Sequence, residues 1–189
     1  MADATQYELS ADILSFLEHI RSNLAIAKSL AEIFEASHDN DRNPLGHSGF
    51  AVLHLTISYF ETIAQFQLGR EFPVNQAMTA CLKEVFPDRH FDKIFENLVH
   101  FRNGIYHFSI PKHPFALARG LHGPFSQTNG YIRVNPLKFV EAIILHFDAY
   151  VIGLQSGCRL EEFISRWSML VRPAFPLAPA CGTTYPPGI

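Results

Sequence analysis

Hydrophobic side chains recur at steps of three or four residues along most of the chain, a spacing typical of amphipathic helices. The first such segment runs from Ser10 to Ser37 without a Gly or a Pro. Ser10 is placed to cap the N-terminus of this predicted helix, because its hydroxyl can accept a hydrogen bond from a first-turn N–H. The polar, turn-rich residues 38–49 predict its end.

Five further segments repeat this helical spacing. They cover about residues 49–68, 74–85, 89–111, 136–155 and 160–171. Asn135 and Pro136 suit the N-cap and the first position of the helix that follows them. The pattern as a whole predicts an all-α fold, a bundle of five or six helices.

Residues 111–134 break the helical pattern. Pro and Gly recur there, and Asn129–Gly130 is a favoured hairpin turn. We therefore expect a long loop or a small hairpin inserted between two helices. The chain of 189 residues suits one domain. We assign residues 1–172 to a single helical domain and the proline-rich residues 173–189 to a flexible tail.

The composition indicates a compact cytoplasmic protein. Hydrophobic residues make up 48% of the chain, and the N-terminus lacks the basic and apolar regions of a secretory signal. Charged residues interrupt the longest apolar run, residues 139–154, which is too short to cross a bilayer. Cys81, Cys158 and Cys181 show no zinc-binding spacing, so we expect free thiols in a reducing compartment.

The charge is unevenly distributed along the chain. The net charge of −3 argues against a broad nucleic-acid-coating surface. Residues 109–140, however, contain Lys112, Arg119, Arg133 and Lys138 and no acidic residue. This stretch is interpreted either as a locally positive face or as a solvated loop.

The candidates for chemistry lie near the end of the fourth predicted helix, where Arg102, Asn103 and His107 read Arg-Asn-x-x-x-His. On a helix, Asn103 and His107 are one turn apart on one stripe, and Arg102 lies on its flank. We expect all three side chains to face one groove. Gly104 within the helix indicates close approach of a ligand, of another backbone or of a packed helix.

The same pattern occurs once more, at residues 42–47. Pro44 and Gly46 make that copy a turn, so no helix would hold its side chains in a fixed relation. We interpret it as a coincidence, because a short motif needs its structural context.

The motif at 102–107 resembles the defining motif of the HEPN superfamily, the higher eukaryotes and prokaryotes nucleotide-binding domain. The resemblance implies RNA cleavage without a metal ion or cofactor, in which the ribose 2′-hydroxyl attacks the adjacent phosphodiester. His107 would transfer protons, since an imidazole titrates near neutral pH, and Arg102 would stabilise the charge of the transition state. Asn103 would orient His107 or a phosphate oxygen. The resemblance also implies a homodimer in which two motifs form one cleft.

Several residues are candidates for supporting roles. Tyr106 and His100 flank the motif and could stack on a base or contact a phosphate. A partly buried tyrosine and a surface histidine are the alternative interpretation. Glu61 is a candidate acidic partner for Arg102. Three basic residues could guide an RNA backbone towards the cleft: Lys112, Arg119 and Arg133.

The biological role stays open at this point. HEPN domains include toxins neutralised by an antitoxin partner, components of immunity or stress response, and proteins that bind without cleaving. The chain has no phosphate-binding Gly-rich loop, no H-E-x-x-H helix and no G-x-S-x-G turn. The main alternative is a non-catalytic helical module that dimerises or binds a nucleotide or a protein, with Arg102 and His107 as structural hydrogen-bonding residues.

Overall fold

A computed structural model describes residues 7–37, 48–69, 73–88, 91–108, 115–128 and 131–170. Within residues 101–108 it describes the helical backbone and, of the side chains, that of Arg102. The second copy of the motif, Lys112, the Asn129–Gly130 turn and the proline-rich tail lie outside the described residues.

Six helices make up most of the described chain and confirm the predicted all-α bundle. They are α1 (Ala11–Ala36), α2 (Ser48–Leu68), α3 (Val74–Val85), α4 (Asp92–Phe108), α5 (Pro136–Gln155) and α6 (Leu160–Leu170). The predicted caps are also confirmed. The Ser10 hydroxyl accepts from the N–H of Ile13, and the Asn135 side chain accepts from the N–H of Lys138 at 3.0 Å.

The insertion between α4 and α5 is a three-stranded sheet. Its strands are β1 (Phe115–Leu117), β2 (Phe125–Thr128) and β3 (Tyr131–Val134), in the order β1-β3-β2. β2 and β3, which residues 129–130 separate along the chain, pair antiparallel, whereas β1 pairs parallel to β3. The predicted hairpin is therefore confirmed, but β1 was missed, because a three-residue strand without alternating burial leaves no local signal.

The sheet is part of the hydrophobic core. Phe125 of β2 is buried, and its ring lies 5.0 Å from that of Phe86 and 5.6 Å from that of Phe139. Ile132 and Val134 of β3 are buried in the same cluster. The insertion is consequently anchored by its inward side chains.

α2 occupies the centre of the bundle. It packs against α1, α3, α4, α5 and α6. Its Phe60, Ile63 and Ala64 have no exposed surface. In the part of the chain that the structure describes, no helix is both long and apolar enough to span a membrane.

Candidate functional site

Arg102 lies on the face of α4 that turns towards the core. Ile94, Phe95, Leu98 and Val99 of that helix are buried. At about 100° per residue, Arg102 falls in the middle of the arc that these four residues define. A guanidinium at such a position is deprived of water and needs a hydrogen-bonding partner of opposite charge.

Glu61 of α2 supplies this partner. It follows Ile57 by one turn and precedes Ala64, both of them buried, so it also lies on a core-facing stripe. The Nη2 group of Arg102 donates to Oε1 of Glu61, and the two side chains are 23% and 16% exposed. The structure therefore brings together the two residues that the sequence proposed as an ion pair.

The pair has two physical consequences. A charge-assisted hydrogen bond holds the guanidinium in one orientation. The neighbouring carboxylate also offsets part of the positive field that Arg102 could present to a phosphate. Arg102 is thus a positioned cation that keeps some contact with solvent.

Asn103 and His107 occupy the last two turns of α4. Their backbone positions fall on the stripe that carries Glu96 and His100, both exposed. By helical geometry, position 107 lies about 140° around the axis from position 102. The side chains of Asn103, Tyr106 and His107 lie outside the described part of the chain. The expectation that all three motif side chains face one groove stays a prediction.

His100 lines an open groove between α3 and α4. The groove has a volume of about 540 Å³. Its other residues include Asn75, Gln76 and Thr79 of α3 and Glu96 of α4. The sequence marked His100 as a residue flanking the motif, and the structure adds the open groove beside it.

Arg119 contacts the C-terminal end of α1. Its Nε donates to the carbonyl oxygen of Phe34 at 2.6 Å, and its Nη2 donates to Oγ of Ser37 at 2.9 Å. The guanidinium also lies over the Phe34 ring, 4.3 Å from the centroid. These contacts give Arg119 a structural role that the sequence did not indicate. Arg133 is exposed on β3.

Sequence reasoning missed a polar network among three helices, which runs from the buried Tyr59 to the exposed Glu84. The Tyr59 hydroxyl lies 2.7 Å from Nδ1 of His146, and Nε2 of His146 lies 3.3 Å from Oε2 of Glu84. Gln67 donates to the same carboxylate oxygen at 2.8 Å. Burial raises the pKa of the Tyr59 phenol, so the hydroxyl keeps its proton and can donate it to Nδ1 of His146. No sequence signal could have found this network, because its residues lie on different helices.

Among the described residues, no group of three or more His, Cys, Asp or Glu side chains could hold a metal ion. The resemblance to the HEPN superfamily stays a prediction that rests on residues 102–107. Comparison of the chain with protein-family models, with curated proteins and with solved structures found no match.

Proposed function

We propose that this protein is a HEPN-type endoribonuclease that cleaves RNA without a metal ion. One observation carries the proposal: Glu61 holds the partly exposed guanidinium of Arg102 in place on the helix whose last turns carry Asn103 and His107. A cation in a fixed position, together with an imidazole that reaches the same phosphate, is the combination that phosphodiester cleavage requires.

In the proposed reaction, the 2′-oxygen of a ribose attacks the adjacent phosphorus and the bond to the 5′-oxygen breaks. The products are a 2′,3′-cyclic phosphate and a free 5′-hydroxyl. One imidazole accepts the proton of the 2′-hydroxyl, and a second donates a proton to the leaving 5′-oxygen. Arg102 stabilises the additional negative charge on the phosphorane oxygens.

A homodimer would supply both imidazoles from two copies of His107. Positions 102 and 107 lie about 140° apart around α4, so a single helix presents them on different faces. Two subunits that face each other can bring the Arg102 of one copy and the His107 of the other to the same phosphate. The composite cleft is therefore part of the proposal, and light scattering of the purified protein tests it.

A second candidate function is a non-catalytic helical module that binds a partner, such as an antitoxin protein, or a nucleotide. The Arg102–Glu61 pair favours it, because an ion pair between two core-facing positions explains Arg102 without any chemistry. On this reading, Arg102 and Glu61 join α4 to α2, and His107 is a structural residue.

Incubation of mixed RNA with the purified protein in EDTA separates the two candidates. The nuclease proposal expects cleavage by the wild type and a loss of at least about 100-fold in His107→Ala and Arg102→Ala. Arg166→Ala is the matched control, because Arg166 is also partly buried, pairs with Glu162 and donates to the carbonyl of Phe66. This variant loses a structural arginine away from the motif, so it should cleave RNA as the wild type does.

The other outcomes are equally informative. Cleavage that survives both motif substitutions would exclude the motif as the active site. An absence of cleavage in every sample would favour the binding module. Thermal stabilisation by a nucleotide, without turnover, would indicate binding without hydrolysis.

A further inference from the structure

The groove between α3 and α4 has the size and the chemistry of a ligand site. Its volume of about 540 Å³ falls within the usual range of small-molecule pockets. α3 lines it with two amides and a hydroxyl, those of Asn75, Gln76 and Thr79. The two amides can donate to and accept from an uncharged ligand edge, whereas the Thr79 hydroxyl donates to the carbonyl oxygen of Asn75 at 2.8 Å and can accept.

The rest of the lining is partly apolar and partly charged. Ala80 is exposed and provides apolar surface, whereas Val99 contributes little because it is only 5% exposed. Lys83, which also pairs with Asp92 at 3.2 Å, and His100 offer hydrogen-bonding groups, and Glu96 adds one acidic group. This mixture suits one ligand unit with an apolar ring, a polar edge and an anionic group. It is too weakly positive for a long polyanion track.

The groove lies on the same face of α4 as two motif positions. Glu96, His100, Asn103 and His107 are spaced four, three and four residues apart, which places them on one helical stripe. The rise of a helix separates positions 100 and 107 by about 10 Å along the axis. A ligand in the groove therefore lies on the same side of α4 as position 107, near the end of the helix.

We propose that the α3–α4 groove binds one nucleotide of single-stranded RNA, next to the phosphate that is cleaved. The inference rests on the proposed nuclease function and adds its substrate-recognition site. Asn75 and Gln76 contact the edge of the base, the base rests on Ala80, and His100 lies towards the phosphate. Contacts to a base edge require an unpaired base, so the RNA is single-stranded.

Binding is measured on the His107→Ala full-length chain, which keeps the groove and removes the proposed catalysis. The probes are short fluorescein-labelled homopolymers of adenylate, cytidylate and uridylate, followed by fluorescence anisotropy. Replacing Asn75 and Gln76 together with Ala should weaken binding about tenfold, because two hydrogen bonds are lost. Asn23→Ala is the control, since Asn23 carries an exposed amide on α1. It should bind as the parent does.

Ala80→Trp provides an independent test. Ala80 is exposed at the groove wall, so a large side chain there fills the groove without entering the core. The substitution should abolish binding of the homopolymers and leave the thermal unfolding midpoint unchanged. Equal binding by Ala80→Trp and its parent would overturn the proposal, as would the absence of RNA binding in the parent.

The design separates this inference from the proposed function. If the protein binds RNA, loses that binding in Ala80→Trp and never cleaves RNA, the groove proposal stands and the nuclease proposal is wrong. If cleavage depends on His107 but the groove substitutions do not affect it, the nuclease proposal stands and the groove proposal is wrong. Binding of double-stranded RNA as tightly as single-stranded RNA would also reject the groove as a base-reading site.

Discussion

At the scale of single residues, Arg102 shows how a charged side chain can occupy a position that its helix turns towards the core. The sequence pattern around it is apolar, and the charge is accommodated because Glu61 lies opposite on α2. Removing one partner of a buried pair leaves the other charge poorly solvated. The Arg102–Glu61 pair therefore stabilises the fold whether the protein is a nuclease or a binding module.

Glu61→Gln should lower the free energy of unfolding by about 1–3 kcal/mol, because it keeps the shape of the side chain but removes the charge opposite Arg102. Urea denaturation measures the change. Glu141→Gln is the matched control, since Glu141 forms an ion pair with Lys138 in which both side chains are more than a third exposed. It should change stability by no more than about 0.5 kcal/mol. Equal losses in the two variants would show that the Arg102–Glu61 pair contributes no more than a surface pair.

At the scale of elements, the three-stranded insertion is attached to the end of α1. Besides the contacts of Arg119, the Glu35 carboxylate accepts from the N–H of Gly120 at 2.7 Å. The second oxygen of Glu35 accepts from the Asn135 side chain at 3.4 Å. Polar contacts on the α1 side and the buried Phe125 on the core side together hold the sheet against the bundle.

Arg119→Ala should loosen the insertion without unfolding the bundle. The substitution removes two hydrogen bonds to the end of α1, so we expect a loss of about 1–3 kcal/mol in stability. Amide hydrogen exchange should become faster in β1 and β3 and stay unchanged in α2. Arg133→Ala, on the exposed face of β3, is the control and should leave both measurements unchanged. Unchanged exchange in β1 after Arg119→Ala would contradict the attachment.

At the scale of the whole molecule, the core contains several groups that ionise only with difficulty. Burial raises the pKa of Cys81, of Tyr59 and of Tyr150. In an unfolded chain, a thiol titrates near pH 8.5 and a phenol near pH 10. Above those values, the unfolded chain releases protons that the folded protein retains. The stabilisation is therefore complete at neutral pH and is lost as the pH rises.

Stability should begin to fall between about pH 8 and 9, where Cys81 contributes most, and the slope should exceed about 1.4 kcal/mol per pH unit as the two tyrosines join near pH 10. Urea denaturation over this range measures the slope. Cys81→Ala should remove most of the slope between about pH 8 and 9, whereas Cys158→Ala, at an exposed position, should not. A stability that stays constant to about pH 10.5 would contradict the assignment of these groups as buried.

Local rules account for most of the helical fold. The spacing of apolar residues predicted five or six helices, and the capping roles of Ser10 and Asn135 followed from chemistry within one turn. The pairing of β2 and β3 was equally local, since only residues 129–130 separate the two strands along the chain. These features could be determined from the sequence alone because each depends on residues only a few positions apart.

Tertiary structure decided everything that joins distant segments. The parallel pairing of β1, the attachment of Arg119 to α1 and the Tyr59–His146 network each connect residues that packing alone brings together. For the candidate site, the sequence supplied the motif and named Glu61, but only packing could show that Arg102 turns towards α2 and that a groove opens beside His100. A helical pattern defines which residues share a face, whereas the neighbour of that face depends on how the whole bundle closes.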